Sequence, residues 1–176
     1  MSRQNIIRRL RYLRNWEFIN IFLLPAVLYF TLMRQKTPNW QPFAFGMFVI
    51  CIILAQGTFY WHLKLQSVYK NELVLPSYFE RAFSLFKWVN VALLSIYPIL
   101  MIANRITPLV HFQTSFWSNA LFLFALLEQV NYYHYQLSHD NLNDIRFLIK
   151  HKKFRRSPLY VDLQRTSKRV PEQKAG

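Results

Sequence analysis

The sequence predicts an all-α integral membrane protein: four transmembrane helices in a bundle, both termini cytoplasmic, with basic amphipathic helices flanking it. Three observations predict this. The 176 residues are 53% hydrophobic yet carry 22 Lys and Arg against 8 Asp and Glu, a combination that needs the two classes to be segregated along the chain. They are segregated: apolar runs fall at 16–33, 43–61, 84–104 and 116–135, each near the roughly 20 residues a helix needs to cross the hydrocarbon core. The cations are partitioned as well. Counting Lys87, at the start of the third run, with the link before it, nineteen Lys and Arg precede the first run, join the second to the third or follow the fourth, and 3 lie in the other two links. In short loops this bias sets orientation and puts the basic side in the cytoplasm.

Residues 1–15 form a basic amphipathic segment, with Ile6, Leu10, Leu13 and Trp16 on one helical stripe and Arg8, Arg11 and Arg14 on another, Arg9 beside them. Such a helix suits an anionic leaflet, where each cation contributes about 1 kcal/mol; topogenic charge alone is the simpler reading. Span one closes on Leu32-Met33-Arg34 with no small-x-small site, which predicts an uncleaved signal anchor. A bacterial-type inner (plasma) membrane fits best. The Arg-rich, acid-free start also suits a mitochondrial presequence, which keeps an organelle membrane as the alternative.

Pro25 and Pro98 lie inside spans one and three, and each frees a carbonyl that a neighbouring helix or a hydroxyl must meet. Pro38 and Pro42 break the first loop and Thr107-Pro108 the third. Span two carries the small-residue stripe Ala44, Cys51, Ala55 and Thr58, predicting close helix approach there, with His62 aimed at the same interface. In the second loop Ser77 and Glu80 have capping-box spacing, so helix three starts before the bilayer, and Arg81 and Lys87 snorkel to the headgroups. No Pro or Gly interrupts 109–157, and a bend near Ser138 to Asn141 separates span four from a basic cytoplasmic extension over 136–165. Within it Ser157-Pro158 reads as an N-cap and first helical residue of a short helix through Leu163. Residues 166–176 read as a disordered tail.

Polar side chains inside spans mark function by default. Glu17, Asn20, Gln56, His62, Asn90, Glu128, Asn131 and His134 all fall in the cytoplasmic halves of the spans, which predicts one polar pocket opening to that side. Glu128 lies roughly 12 Å inside the end of span four, where a carboxylate needs a partner. It is either hydrogen-bonded packing glue or a contact for a ligand, proton or protein. His62 and His134 invite a bis-histidine haem, but Glu-x-x-His spacing is absent. No metal and no cofactor is expected. The single Cys51 excludes an internal disulfide, and no P-loop, GxGxxG, GxSxG or HExxH pattern occurs.

The cluster Lys150, Lys152, Lys153, Arg155 and Arg156 lies just cytoplasmic of span four, a place for docking anionic lipid or an acidic partner rather than nucleic acid. The expected function is therefore non-enzymatic and accessory: a scaffold holding the anionic leaflet, a membrane-protein partner or a second copy of itself. One alternative is a small membrane redox protein or enzyme acting on a lipid, quinone or haem in the polar pocket. A second is an oligomeric proton-coupled carrier centred on Glu128.

Overall fold

A computed structural model describes residues 2–33, 40–71, 75–103, 112–137, 150 and 152–174. Among these residues the protein is all-helical: α1 (Arg3–Leu32), α2 (Trp40–Tyr69), α3 (Phe79–Ala103), α4 (Phe112–Tyr133) and α5 (Pro158–Lys174). Two stretches, Gln41–Tyr69 and Phe79–Leu100, are long and apolar enough to cross a membrane. The predicted breaks at Pro38, at Thr107-Pro108 and at 138–141 lie outside the described residues.

The helix ends follow local chemistry. Ser2 caps α1, its Oγ accepting from the Asn5 N–H at 3.4 Å, and from there α1 runs unbroken through the expected boundary between residues 15 and 16. Pro42 sits in the first turn of α2, where its missing N–H costs no hydrogen bond, so the helix begins ahead of it instead of after it. α2 then continues to Tyr69, well past the expected end at 61, because nothing breaks it until Asn71 takes a left-handed φ of 59°. In α3 the first helical bond runs from the Ala82 N–H to the Tyr78 carbonyl at 3.0 Å, which makes Tyr78, not Ser77, the capping position. α4 stops at Tyr133, because the N–H groups of His134 and Tyr135 both close back on the Val130 carbonyl at 2.9 Å. The chain then pairs with a distant segment, Gln136 donating to the Arg155 carbonyl and Ser157 to that of His134. Ser157 caps α5 as its sequence predicts, its Oγ accepting from the Tyr160 N–H at 3.0 Å. The helix extends to Lys174, replacing both the expected stop at Leu163 and the disordered tail from Thr166.

α2 is the central helix, with Val49, Ile50, Ile53 and Leu54 buried against its neighbours. α1 packs on it antiparallel: Arg3 donates to the Val68 and Tyr69 carbonyls at one end, and Cys51 meets Ile21 further along. That second contact answers Pro25. The proline cannot donate to the Ile21 carbonyl one turn back, and the Cys51 thiol reaches that oxygen at 3.6 Å. At the first contact Arg3 brings a cation to the partially negative end of α2.

α4 runs parallel to α2 and approaches it through the two glycines of α2. A Cβ at Gly46 would lie 3.3 Å from that of Leu121, and one at Gly57 would overlap the Tyr132 phenol. The close-approach face is therefore Gly46 and Gly57. In the stripe expected for that role, Ala44 and Ala55 are exposed and Cys51 turns to α1. α3 closes the bundle through stacked rings, Phe59 on Phe83 and Tyr97 on Phe122. Outside this core the large apolar side chains face outward, among them Phe22 and Phe30 on α1, Trp88 and Ile99 on α3 and Leu123 on α4.

Gly57→Ala forces a methyl into the Tyr132 ring, and overpacking of this kind costs about 1–3 kcal/mol. Thermal unfolding in detergent should show a clear fall in Tm for Gly57→Ala and a smaller one for Gly46→Ala. Equal behaviour of the two variants would contradict the packing described.

Candidate functional site

Polar residues at the basic end of the bundle fall into two separate groups. The first is an interior network. Gln56 of α2 and Asn90 of α3 exchange side-chain hydrogen bonds at 2.9 and 2.8 Å, Asn90 also donates to Gln129 of α4 at 2.9 Å, and the Tyr133 hydroxyl donates to Gln56 at 3.0 Å. Gln129 in turn donates to the Lys87 carbonyl at 3.3 Å. Asn90 is completely buried and the other three nearly so. A self-satisfied network of neutral groups offers nothing to a ligand, and its role is to register three helices.

The second group lines a cavity of about 670 Å³ between α1, α2, α4 and α5. Its rim carries Arg9 from α1, Lys64 from α2, Arg155 and Arg156 from the segment before α5, and Asp162 and Arg165 from α5. Glu17, Glu128 and Asn131 line it too, together with Asn20, the buried Leu54 and the exposed Phe124. Glu17 accepts a hydrogen bond from the Tyr132 hydroxyl, which links α1 to α4 across the Gly57 gap. Glu128 accepts from the Asn131 amide at 3.2 Å, and the Asn131 carbonyl oxygen accepts the Leu137 N–H at 2.8 Å. Trp61 lines the same wall.

α5 is held over this cavity by a small charged cluster. The Asp162 carboxylate accepts from the Tyr60 hydroxyl at 2.7 Å and from Lys64 Nζ at 2.6 Å, and Lys64 also donates to the Tyr60 oxygen at 3.0 Å. Leu159 inserts into the core beside it, and Ser157 donates to the Tyr132 carbonyl. Arg156 is fixed by two aromatic faces, 4.7 Å from the Tyr135 centroid and 4.9 Å from that of Tyr160.

Of the eight polar residues expected to share one pocket, the structure brings Glu17, Asn20, Glu128 and Asn131 to the cavity and sends Gln56 and Asn90 to the interior network. His62 pairs with Gln66 at 2.9 Å, and His134 sits where α4 ends; neither lines the cavity. Among the basic residues Arg9, Arg155 and Arg156 reach the rim. Arg11 instead donates to the Tyr69 hydroxyl at 2.6 Å and Arg14 to the neighbouring Asn15, while Arg8, Lys150, Lys152 and Lys153 are exposed away from the cavity. Sequence reasoning missed Tyr60, Lys64, Asp162 and Arg165. The available signal was Asp162, an acid inside a basic segment. Among the described residues no group of three His, Cys, Asp or Glu is placed to hold a metal. Compared with known proteins, the chain matches no family model, no curated protein and no solved structure.

Asn90→Leu leaves the Gln56 and Gln129 amides without their shared partner, which costs about 2 kcal/mol and should lower Tm by roughly 4–8 °C. An unchanged melting curve would contradict the network. Asp162→Asn weakens a partly exposed ion pair worth about 1 kcal/mol. Trypsin should then cut at Arg165 roughly five-fold faster, since cleavage follows the population of undocked α5.

Proposed function

We propose that this chain is a small integral membrane protein of non-enzymatic, accessory type, whose four long helices cross the bilayer with both termini on the cytoplasmic side and whose basic segments dock anionic lipid. Two helices have the length and apolarity for a span. The outward-facing Phe18, Phe22 and Phe30 of α1 and Leu123, Leu126 and Leu127 of α4 support membrane burial of the other two, because so much exposed apolar surface is unfavourable in water. The observation that carries the docking function is the cavity rim, where Arg9 meets Arg155, Arg156 and Arg165. Cations from both ends of the chain thus converge at one end of the bundle, and 19 of the 22 Lys and Arg belong to segments on that side. Charge of this density beside a bilayer attracts anionic headgroups.

A second reading, a small membrane enzyme or redox protein, draws on Glu17 and Glu128 lining the same cavity. It requires turnover of a lipid or quinone there. A bis-histidine haem gains no support, since His62 and His134 both lie off the cavity.

The docking function is tested with the full-length protein in detergent, offered an equal mixture of diacyl phosphatidylglycerol and phosphatidylcholine, with retained lipids counted by native mass spectrometry. The wild type should retain the anionic lipid preferentially. Joint replacement of Lys150, Lys152, Lys153, Arg155 and Arg156 by Gln should reduce that preference at least ten-fold. Equal preference in both proteins would remove the docking function.

A further inference from the structure

Arg156 reaches the cavity rim, and it also belongs to a basic group where α3, the end of α4 and the segment before α5 meet. Two backbone bonds fix that junction. Gln136 N–H donates to the Arg155 carbonyl at 2.8 Å and Ser157 N–H to the His134 carbonyl at 3.2 Å, which sets Arg156 opposite Tyr135. The Arg156 guanidinium then lies against two rings, 4.7 Å from the Tyr135 centroid and 4.9 Å from that of Tyr160. Lys87 of α3 is tied to α4 through its carbonyl, which accepts from Gln129 at 3.3 Å. His134 is close enough to both that the charges of Lys87 and Arg156 act on its ring.

These groups have donors to spare. Among the described residues neither the Arg156 guanidinium, the Lys87 ammonium nor the His134 ring completes a hydrogen bond or an ion pair, and Lys87 only approaches the Trp88 ring at 6.0 Å. Rings against the faces of a guanidinium hold its plane still and leave its in-plane N–H groups open. Cations gathered without a counter-charge among the described residues favour an anion. A phosphomonoester suits them better than a phosphodiester, because it presents three acceptor oxygens and about 1.5 to 2 negative charges at neutral pH to a planar fork, an ammonium and an imidazole. The surroundings identify the rest of the molecule. Val91, Pro98 and Ile102 follow Lys87 at helical spacing along α3, and Leu127 and Leu123 precede His134 in the same way along α4. All five are exposed. Two outward apolar faces thus lead away from the cations, as acyl chains attached to the phosphate would require.

Resting on the membrane-docking function above, we infer that this junction is a binding site for one phosphatidic acid, its phosphomonoester held by Arg156, Lys87 and His134 and its acyl chains lying along the exposed faces of α3 and α4. Docking by charge density separates anionic lipid from neutral lipid. The junction separates one anionic headgroup from another.

The test uses the full-length protein in detergent, titrated with dioleoyl phosphatidic acid and, separately, with dioleoyl phosphatidylglycerol and with glycerol 3-phosphate, which has the phosphomonoester but no chains. Native mass spectrometry should show one phosphatidic acid per chain, saturable and at least ten-fold tighter than phosphatidylglycerol. Glycerol 3-phosphate should bind at least a hundred-fold more weakly. Arg156→Lys keeps the charge and loses the planar fork, so it should weaken phosphatidic acid at least ten-fold while the preference for phosphatidylglycerol over phosphatidylcholine persists. Lys87→Gln, on the outer side of α3, should do the same. Equal affinity for phosphatidic acid and phosphatidylglycerol, or phosphatidic acid binding unchanged in both variants, would overturn the assignment. Glycerol 3-phosphate binding as tightly as the lipid would overturn it too, in favour of a soluble phosphomonoester. Selective phosphatidic acid binding without any preference for phosphatidylglycerol over phosphatidylcholine would instead overturn only the docking function.

Discussion

An amide buried among apolar helices has to find its hydrogen bonds on other helices, and Asn90 finds them on two. Its exchange with Gln56 fixes α3 against α2, and its bond to Gln129 fixes α3 against α4. Apolar contacts alone would permit these helices to slide or rotate at small cost, since one aliphatic surface resembles another. Pairing of amides permits one register, because every alternative leaves a donor or acceptor stranded. The cavity depends on that register. Tyr133 joins the network and Tyr132, its chain neighbour, reaches Glu17 on α1, so the rotation of α4 that satisfies the interior also sets the cavity wall.

The same economy governs helix ends. Pro25 costs α1 a backbone bond, and the Cys51 thiol covers the freed Ile21 carbonyl. The last carbonyls of α2 receive Arg3. Ser157 holds two chain segments at once, accepting the Tyr160 N–H as a cap and donating to the carbonyl of Tyr132. In each case a backbone group that helix geometry leaves orphaned becomes the point at which another element attaches.

Much of this was legible along the chain. Apolar runs marked the four long helices, Ser157-Pro158 marked the start of α5, and Pro25 announced the need that Cys51 meets. Position along each helix was legible too, since it follows directly from residue number. Azimuth was not. A list of residues at similar depth cannot separate Gln56, which turns to α3, from Glu17, which turns to α4, because that depends on how each helix is rotated about its axis. The glycine contact was hidden for a related reason. Gly46 and Gly57 are too far apart for GxxxG, yet eleven residues is close to three helical turns, so both face α4. Lys64 and Asp162 belong to α2 and α5, and no local pattern pairs a cation with an acid about a hundred positions away. The length of the C-terminal helix was not legible, because its residues beyond Leu163 are mostly polar and charged and resemble a solvated tail, yet α5 continues to Lys174 from a start anchored by Leu159 and Asp162.

The rim of the cavity draws on residues from both ends of the polypeptide, and this has a consequence for the order of assembly during synthesis. α1 and α2 are neighbours in the chain and form an antiparallel hairpin, so they can associate while translation continues. Arg155, Arg156, Asp162 and Arg165 are made only after all four long helices. Until they emerge, the groove between α1, α2 and α4 stays open on one flank, with Lys64 lacking its counter-ion. Closure of the site is therefore among the last events in maturation, and a chain interrupted before Ser157 could possess the whole bundle without ever acquiring the chamber.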